Sequence, residues 1–149
     1  MTAMLALLLT LGPPPMADLL HGVRGVESSF GADTRDGDLH RPICERSVGD
    51  WQVTPRAVRH LVKLRRLDAK SVPGFSLTNC AGIRKWLKTK RGGYTAARLY
   101  LDWLLDINGR DVERALYGYN CGPYATYGES RACLRYAGQV LAIASGEGG

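Results

Sequence analysis

The sequence predicts an all-α domain with at most a very small β element, and three observations carry that expectation. Apolar residues recur at three- and four-residue spacings in segments separated by Gly, Pro, Asp and Asn. No stretch alternates apolar and polar residues as a half-buried strand would, and no internal repeat or low-complexity tract occurs. The 149 residues are 45% hydrophobic and 23% charged, a globular balance rather than that of a disordered chain. That length suits one domain, 1–149, able to bury roughly 70% of the surface its unfolded form exposes.

The elements follow in order. Met1 to Leu11 is apolar but has no basic residue ahead of the apolar run, so residues 1–15 read as a first helix packed on the domain or as an atypical export segment. The run is too short for the roughly 20 apolar residues that span a bilayer, and no integral membrane span is expected. Pro13, Pro14 and Pro15 break this segment and open a helix near Met16. Leu19, Leu20, Val23, Val26 and Phe30 mark its buried stripe and place Glu27 at the stripe's edge, near the C-terminal end. Gly31 to Gly49 reads as a long surface loop that Cys44 can pin. Thr54 and Pro55 form a helix start, with Val58, Leu61 and Val62 as the apolar face. A short helix carries Ile83, Trp86 and Leu87. Gly92 and Gly93 precede a longer one with Ala96, Leu99, Tyr100, Trp103 and Leu104 on one face, closed by Asn108 and Gly109. Asp111 caps a helix that runs to a break at Gly122 and Pro123, and Leu134, Ala137, Val140, Leu141 and Ala144 mark the last helix.

The net charge is +6, which attracts anionic partners without choosing among nucleic acid, lipid headgroups and acidic wall polymers. Basic residues thicken at Lys63 to Arg66 and Lys85 to Arg91, which reads as a solvated face; a nucleic-acid surface needs base-stacking aromatics, and Trp86 is the only obvious one there. No nucleic-acid partner is expected. Cys44, Cys80, Cys121 and Cys133 lack the paired spacing of a zinc or redox motif, so they read as two disulfides of undetermined connectivity in an oxidising compartment, with buried thiols as the other reading.

Glycosidic bond cleavage needs a proton donor for the leaving oxygen, and a carboxylic acid serves near neutral pH when burial raises its pKa. Glu27, beside Val23, Val26 and Phe30, suits that role, although a glutamate at a helix edge is commonly just solvated. Three segments in order extend the pattern. ADLLHGVRGVESSF ends a helix in Glu27, Ser28, Ser29 and Phe30; Gly49, Asp50, Trp51, Gln52, Val53, Thr54 and Pro55 follow; and ARLYLDWLLDINGRDVERALYGYNCGP closes with Tyr119, Asn120, Cys121, Gly122 and Pro123. Together they cover most of Ala17 to Pro123 and resemble the lytic transglycosylase family (the SLT domain, related to goose-type lysozyme). In that family the same places hold a helix ending in Glu-Ser, a Gly-Leu-Met-Gln turn before a proline, and a helix pair ending in Tyr-Asn-x-Gly-Pro.

The resemblance implies a lysozyme-like fold, Glu27 as catalytic acid/base, and a sugar cleft lined by Gln52, the backbone around Gly49, Tyr119 and Asn120. Asp50 and Trp51 depart from the family's apolar pair, and Cys121 from its alanine. The substrate-orienting serine has two candidate matches, Ser47 and, by distance from Glu27, Asp36. Lys63 to Lys90 reads as an insertion without a functional assignment. The implied substrate is the peptidoglycan glycan strand, cut by a monomer outside the cytoplasmic membrane, in the periplasm or secreted, or delivered by a phage, with no metal or organic cofactor. A hydrolytic lysozyme would add a second carboxylate, about 5 Å away for retention and further for inversion. Asp33, Asp36, Asp38, Glu45 and Asp50 lie in or beside the loop, and Asp36, Glu45 and Asp50 are the candidates taken. A catalytically silent wall-binding or assembly protein is the remaining reading.

Overall fold

A computed structural model describes residues 12–146, so the reading of Met1 to Leu11 falls outside it. Six α-helices make up the described residues: α1 Met16–Ser28, α2 Pro55–Lys63, α3 Ala81–Lys88, α4 Lys90–Ile107, α5 Val112–Cys121 and α6 Arg131–Ala144. Among the described residues there is no strand, only one isolated antiparallel bridge between Val48 and Val53, and the molecule is the expected all-α globule. None of these helices is long and apolar enough to cross a membrane.

Helix starts follow the local chemistry. The carbonyl of Pro15 accepts from Asp18 and Leu19 at 3.0 Å, and the Thr54, Thr89, Asp111 and Ser130 side chains cap α2, α4, α5 and α6 by accepting from backbone N–H groups three residues on. The amphipathic faces then pack around α4, which touches α1, α2, α3 and α5, while α6 covers α1 and α5. Leu20, Val23, Leu61, Leu87, Leu101, Leu104, Leu116 and Val140 are almost wholly removed from water.

Three details differ from the spacing-based reading. Phe30 is 45% exposed, because Ser29 and Phe30 both take left-handed φ values, 51° and 58°. This reverses the chain and lays the Phe30 ring against His21, centroids 4.8 Å apart. Helix α4 begins at Lys90, so Gly92 and Gly93 lie inside it. They are where α3 and α4 meet at a corner: a Cβ on Gly92 would run into the Trp86 carbonyl, and one on Gly93 would lie 3.0 Å from that of Leu87. In α6 the buried stripe is Cys133, Tyr136, Ala137 and Val140, with Leu141 and Ala144 packed at its margin.

The long loop after α1 has little regular structure beyond a 3-10 turn at Ile43–Glu45, and the region from Lys63 to Lys90 holds it in place. Cys44 is bonded to Cys80, and Arg84 pairs with Asp36 and donates to the Ile43 carbonyl at 3.3 Å. The second disulfide, Cys121–Cys133, joins the end of α5 to the start of α6. Both bridges fit an oxidising compartment.

At the end of the loop, Gly49 has φ +79° and a Cβ there would strike the Leu87 carbonyl, so glycine is required on both counts. Gly49→Ala is expected to lower unfolding free energy by about 3 kcal/mol, read as a shift in the urea midpoint at constant m-value.

Candidate active site

The C-terminal end of α1, the loop, α2, the Tyr100–Trp103 turn of α4 and the end of α5 line a cleft of about 1060 Å³. Glu27, Ser47, Gln52, Tyr119 and Asn120 all line it, as does Glu45. Gly49, Asp36 and Asp50 are not among the lining residues.

Glu27 projects from the last turn of α1 among aromatic side chains brought by α5 and α6. Burial is the largest influence on its carboxyl and raises the pKa from 4.5 to about 7; the Tyr136 hydroxyl opposes the rise, and the negative charge of Asp38 adds to it. The same contact acts in reverse on the aromatics. Burial first, and the Glu27 charge second, hold the Tyr119 and Tyr136 hydroxyls well above their ordinary value of 10. The Tyr136 hydroxyl is buried and has no partner of ordinary hydrogen-bond geometry, so its influence on Glu27 is that of a nearby dipole. Tyr119 donates to the Trp51 carbonyl at 2.8 Å, and its ring lies parallel to that of Tyr136, centroids 6.5 Å apart.

The turn from Val48 to Val53 is docked on α1 by its two central residues. Trp51 Nε1 donates to the Leu20 carbonyl at 3.0 Å, and Arg24 Nε donates to Asp50 at 2.8 Å. Gln52 takes φ +50°. Its amide accepts from Ser47 Oγ at 2.8 Å and donates to the carbonyls of Gly49 at 2.9 Å and Arg35 at 3.1 Å. Ser47 and Gln52 therefore clamp the two ends of the loop while lining the cleft. Asn120 makes one weak contact, Nδ2 to Cys133 Sγ at 3.4 Å.

The loop carboxylates separate by their partners. Asp33 pairs with Arg35 at 2.7 Å, Glu45 with Arg56 at 3.4 Å, Asp50 with Arg24 at 2.8 Å, and Asp36 with Arg84. Among the described residues only Asp38 of these five has no cation at pairing distance, and it lines the cleft with Glu27. Its position is fixed by a left-handed φ of 56° and by its carbonyl, which accepts from the Arg41 N–H at 2.8 Å. Asp38 is not among the three acids singled out from the sequence, Asp36, Glu45 and Asp50, each of which is held by an arginine; Tyr136 carried a usable signal, since it lies three after Cys133 and four before Val140 on the buried stripe of α6. The cleft is also lined by Arg56, Arg59, His60 and Lys63 of α2 and Trp103 of α4; of these only Lys63, as part of a solvated basic face, and Trp103, as part of an apolar helix face, carry an assignment from the sequence.

A neutral carboxylic acid in a cleft can give a proton to a bound ligand and, once charged, take one back. Comparison of the chain with protein-family models, curated proteins and solved structures finds no match.

The raised pKa also has a thermodynamic consequence. A carboxyl whose folded pKa of about 7 exceeds its ordinary 4.5 favours folding fully below pH 4.5 and loses that contribution as pH rises through 7. Glu27→Gln cannot ionise, so its unfolding free energy is expected to exceed the wild type's by about 3 kcal/mol at pH 8, with the gap closing near pH 4. Urea titrations at the two pH values measure it.

Proposed function

We propose that the chain is a peptidoglycan glycosidase acting on the MurNAc-(β1,4)-GlcNAc bond, with Glu27 as general acid and then base, in the manner of a lytic transglycosylase. The observation that carries this reading is the Glu27 carboxyl, raised to about 7 by burial, on the wall of a cleft of about 1060 Å³. A cleft of that volume has room for sugar units, and an acid titrating near 7 is half protonated at physiological pH, when it can serve as a donor.

The resemblance to the lytic transglycosylase family supports the same assignment. Its departures have structural roles here: Asp50 and Trp51 dock the turn on α1, and Cys121 bonds to Cys133. Glu27 protonates the oxygen leaving with GlcNAc as positive charge develops at the MurNAc anomeric carbon. The resulting carboxylate then takes the proton of the C6 hydroxyl of the same sugar, whose oxygen closes on the anomeric carbon to give the 1,6-anhydro product. One carboxylate suffices, and the substrate's N-acetyl group stabilises the cationic centre. Tyr119 fixes the turn that carries Gln52 and Ser47, and Tyr136 tempers the rise in the pKa of Glu27. The disulfides suit a site of action outside the cytoplasm, whether the enzyme is periplasmic, secreted or carried by a phage.

A hydrolytic reading is favoured by one specific observation, Asp38. It is unpaired among the described residues, lines the same cleft and acts electrostatically on Glu27, so in that route it is the carboxylate that would assist a water molecule.

Digestion of purified peptidoglycan separates the two routes. Anhydro-MurNAc ends, reduced at least about a hundred-fold in Glu27→Gln and retained in Asp38→Asn, are expected by mass analysis of the released muropeptides. Reducing ends that vanish in Asp38→Asn would make the protein a lysozyme, and no Glu27-dependent release would remove the enzyme reading in favour of wall binding.

The pH profile provides an independent check. Because the acid must be protonated in the free enzyme, kcat/KM is expected to fall as pH rises above about 7. Tyr136→Phe removes the dipole that favours the charged form, so its descending limb should move to higher pH.

A further inference from the structure

We propose that the α2 side of the cleft binds the carboxylates of the peptide borne by the glycan, so that the protein prefers peptide-bearing strands to bare ones. The inference rests on the glycosidase reading above and names what that site selects.

Arg56, Arg59, His60 and Lys63 follow one another at intervals of three, one and three residues, which puts them on one face of α2. All four line the cleft, joined from the loop by Arg41. They are poorly supplied with acceptors. Arg56 has only Glu45, at 3.4 Å. Arg59 donates through Nε to the Ser76 carbonyl at 3.1 Å, while its Nη2 and the Nε2 of His60 are buried without a protein partner. Lys63 and Arg41 have no carboxylate at pairing distance among the described residues. Cations without a carboxylate at pairing distance also occur elsewhere among the described residues, Arg98 and Arg135 for example, so what sets this group apart is that its members share one helix face and one cleft.

A bare glycan presents hydroxyl and N-acetyl groups, and for those this wall already has aromatics. Tyr124 is 81% exposed and stands edge-on to Trp103, centroids 6.4 Å apart. A row of basic side chains along one cleft wall suits an anion. On peptidoglycan the nearest anion is the peptide on the lactyl ether of MurNAc, the sugar whose anomeric carbon Glu27 addresses, and it ends in carboxylates that guanidinium groups bind through paired hydrogen bonds. Asp38 contributes negative charge on the loop side and α2 contributes positive charge, so the cleft has a polarity that orients such a strand.

The test compares glycan strands of equal length, with intact peptides and with peptides removed by an amidase, using wild type, Arg59→Gln/Lys63→Gln and Lys63→Glu. The last alters an exposed residue and leaves the Arg59 bond to Ser76 in place. Wild-type kcat/KM is expected to be at least about ten-fold higher on peptide-bearing strands, with that ratio falling towards one in both variants. Calorimetry with the free soluble stem peptide should show binding that the variants and amidation of the peptide carboxylates weaken in parallel. A wild-type ratio near one with cleavage intact overturns the inference and leaves the glycosidase reading standing. Absence of cleavage on both strands removes the glycosidase reading, and the inference then stands or falls on whether peptide binding depends on Arg59 and Lys63. A glycerol-phosphate oligomer that displaces the peptide at equal concentration overturns the assignment in favour of a wall-polymer phosphate.

Discussion

Loss of water around the Glu27 carboxyl outweighs every other influence on that group, and keeping the water away is a packing problem shared by four pieces of chain. Helix α1 supplies the carboxyl, α5 and α6 supply Tyr119 and Tyr136, and the turn between Val48 and Val53 receives the Tyr119 hydroxyl. The closeness of α1 to α6 depends on Gly22, where a Cβ would lie 2.6 Å from the Val140 carbonyl. The closeness of α5 to α6 is secured by the Cys121–Cys133 bridge and by Tyr117, which donates to the Thr126 carbonyl and accepts from the Ser130 N–H. A loosened contact at either place would admit water and return the carboxyl towards its ordinary acidity.

The polar residues nearest the cleft divide between architecture and chemistry. Ser47 and Gln52 satisfy each other and the loop backbone, while Asp36 and Asp50 neutralise arginines that tie the loop to α3 and the turn to α1. Among the cleft-lining charges of the described residues, Asp38 on one side and Lys63 on the other have no ion-pair partner. The region between Lys63 and Lys90, which had no assignment in the sequence, supports this division through Cys80 and Arg84.

Those parts of the fold governed by neighbouring residues were legible in the chain itself. The Thr54–Pro55 start, the Asp111 cap and the closure at Asn108–Gly109 depend on contacts within a few residues, and each element lies where those contacts put it. Glu27 was legible as an edge residue for the same reason. Helical spacing lost its meaning at Phe30, because two left-handed residues intervene. It could not register Gly92 and Gly93 as packing positions, because the obstructing carbonyls belong to the preceding helix. The choice of Asp36, Glu45 and Asp50 over Asp38 among the five loop acids had no view of their partners for a related reason: three of the four arginine partners stand 11 to 48 residues away. Only the folded chain decides which acid is left over.

The two disulfides have a further property in their order along the chain. Cys44 pairs with Cys80 and Cys121 with Cys133, so each bridge joins a cysteine to the next one in sequence and neither loop encloses or interlocks with the other. A polypeptide that meets an oxidant from its N-terminus onward completes the first bridge before the second pair is exposed. Simple succession then yields the native connectivity, without the shuffling of mispaired thiols that nested or crossed bridges require.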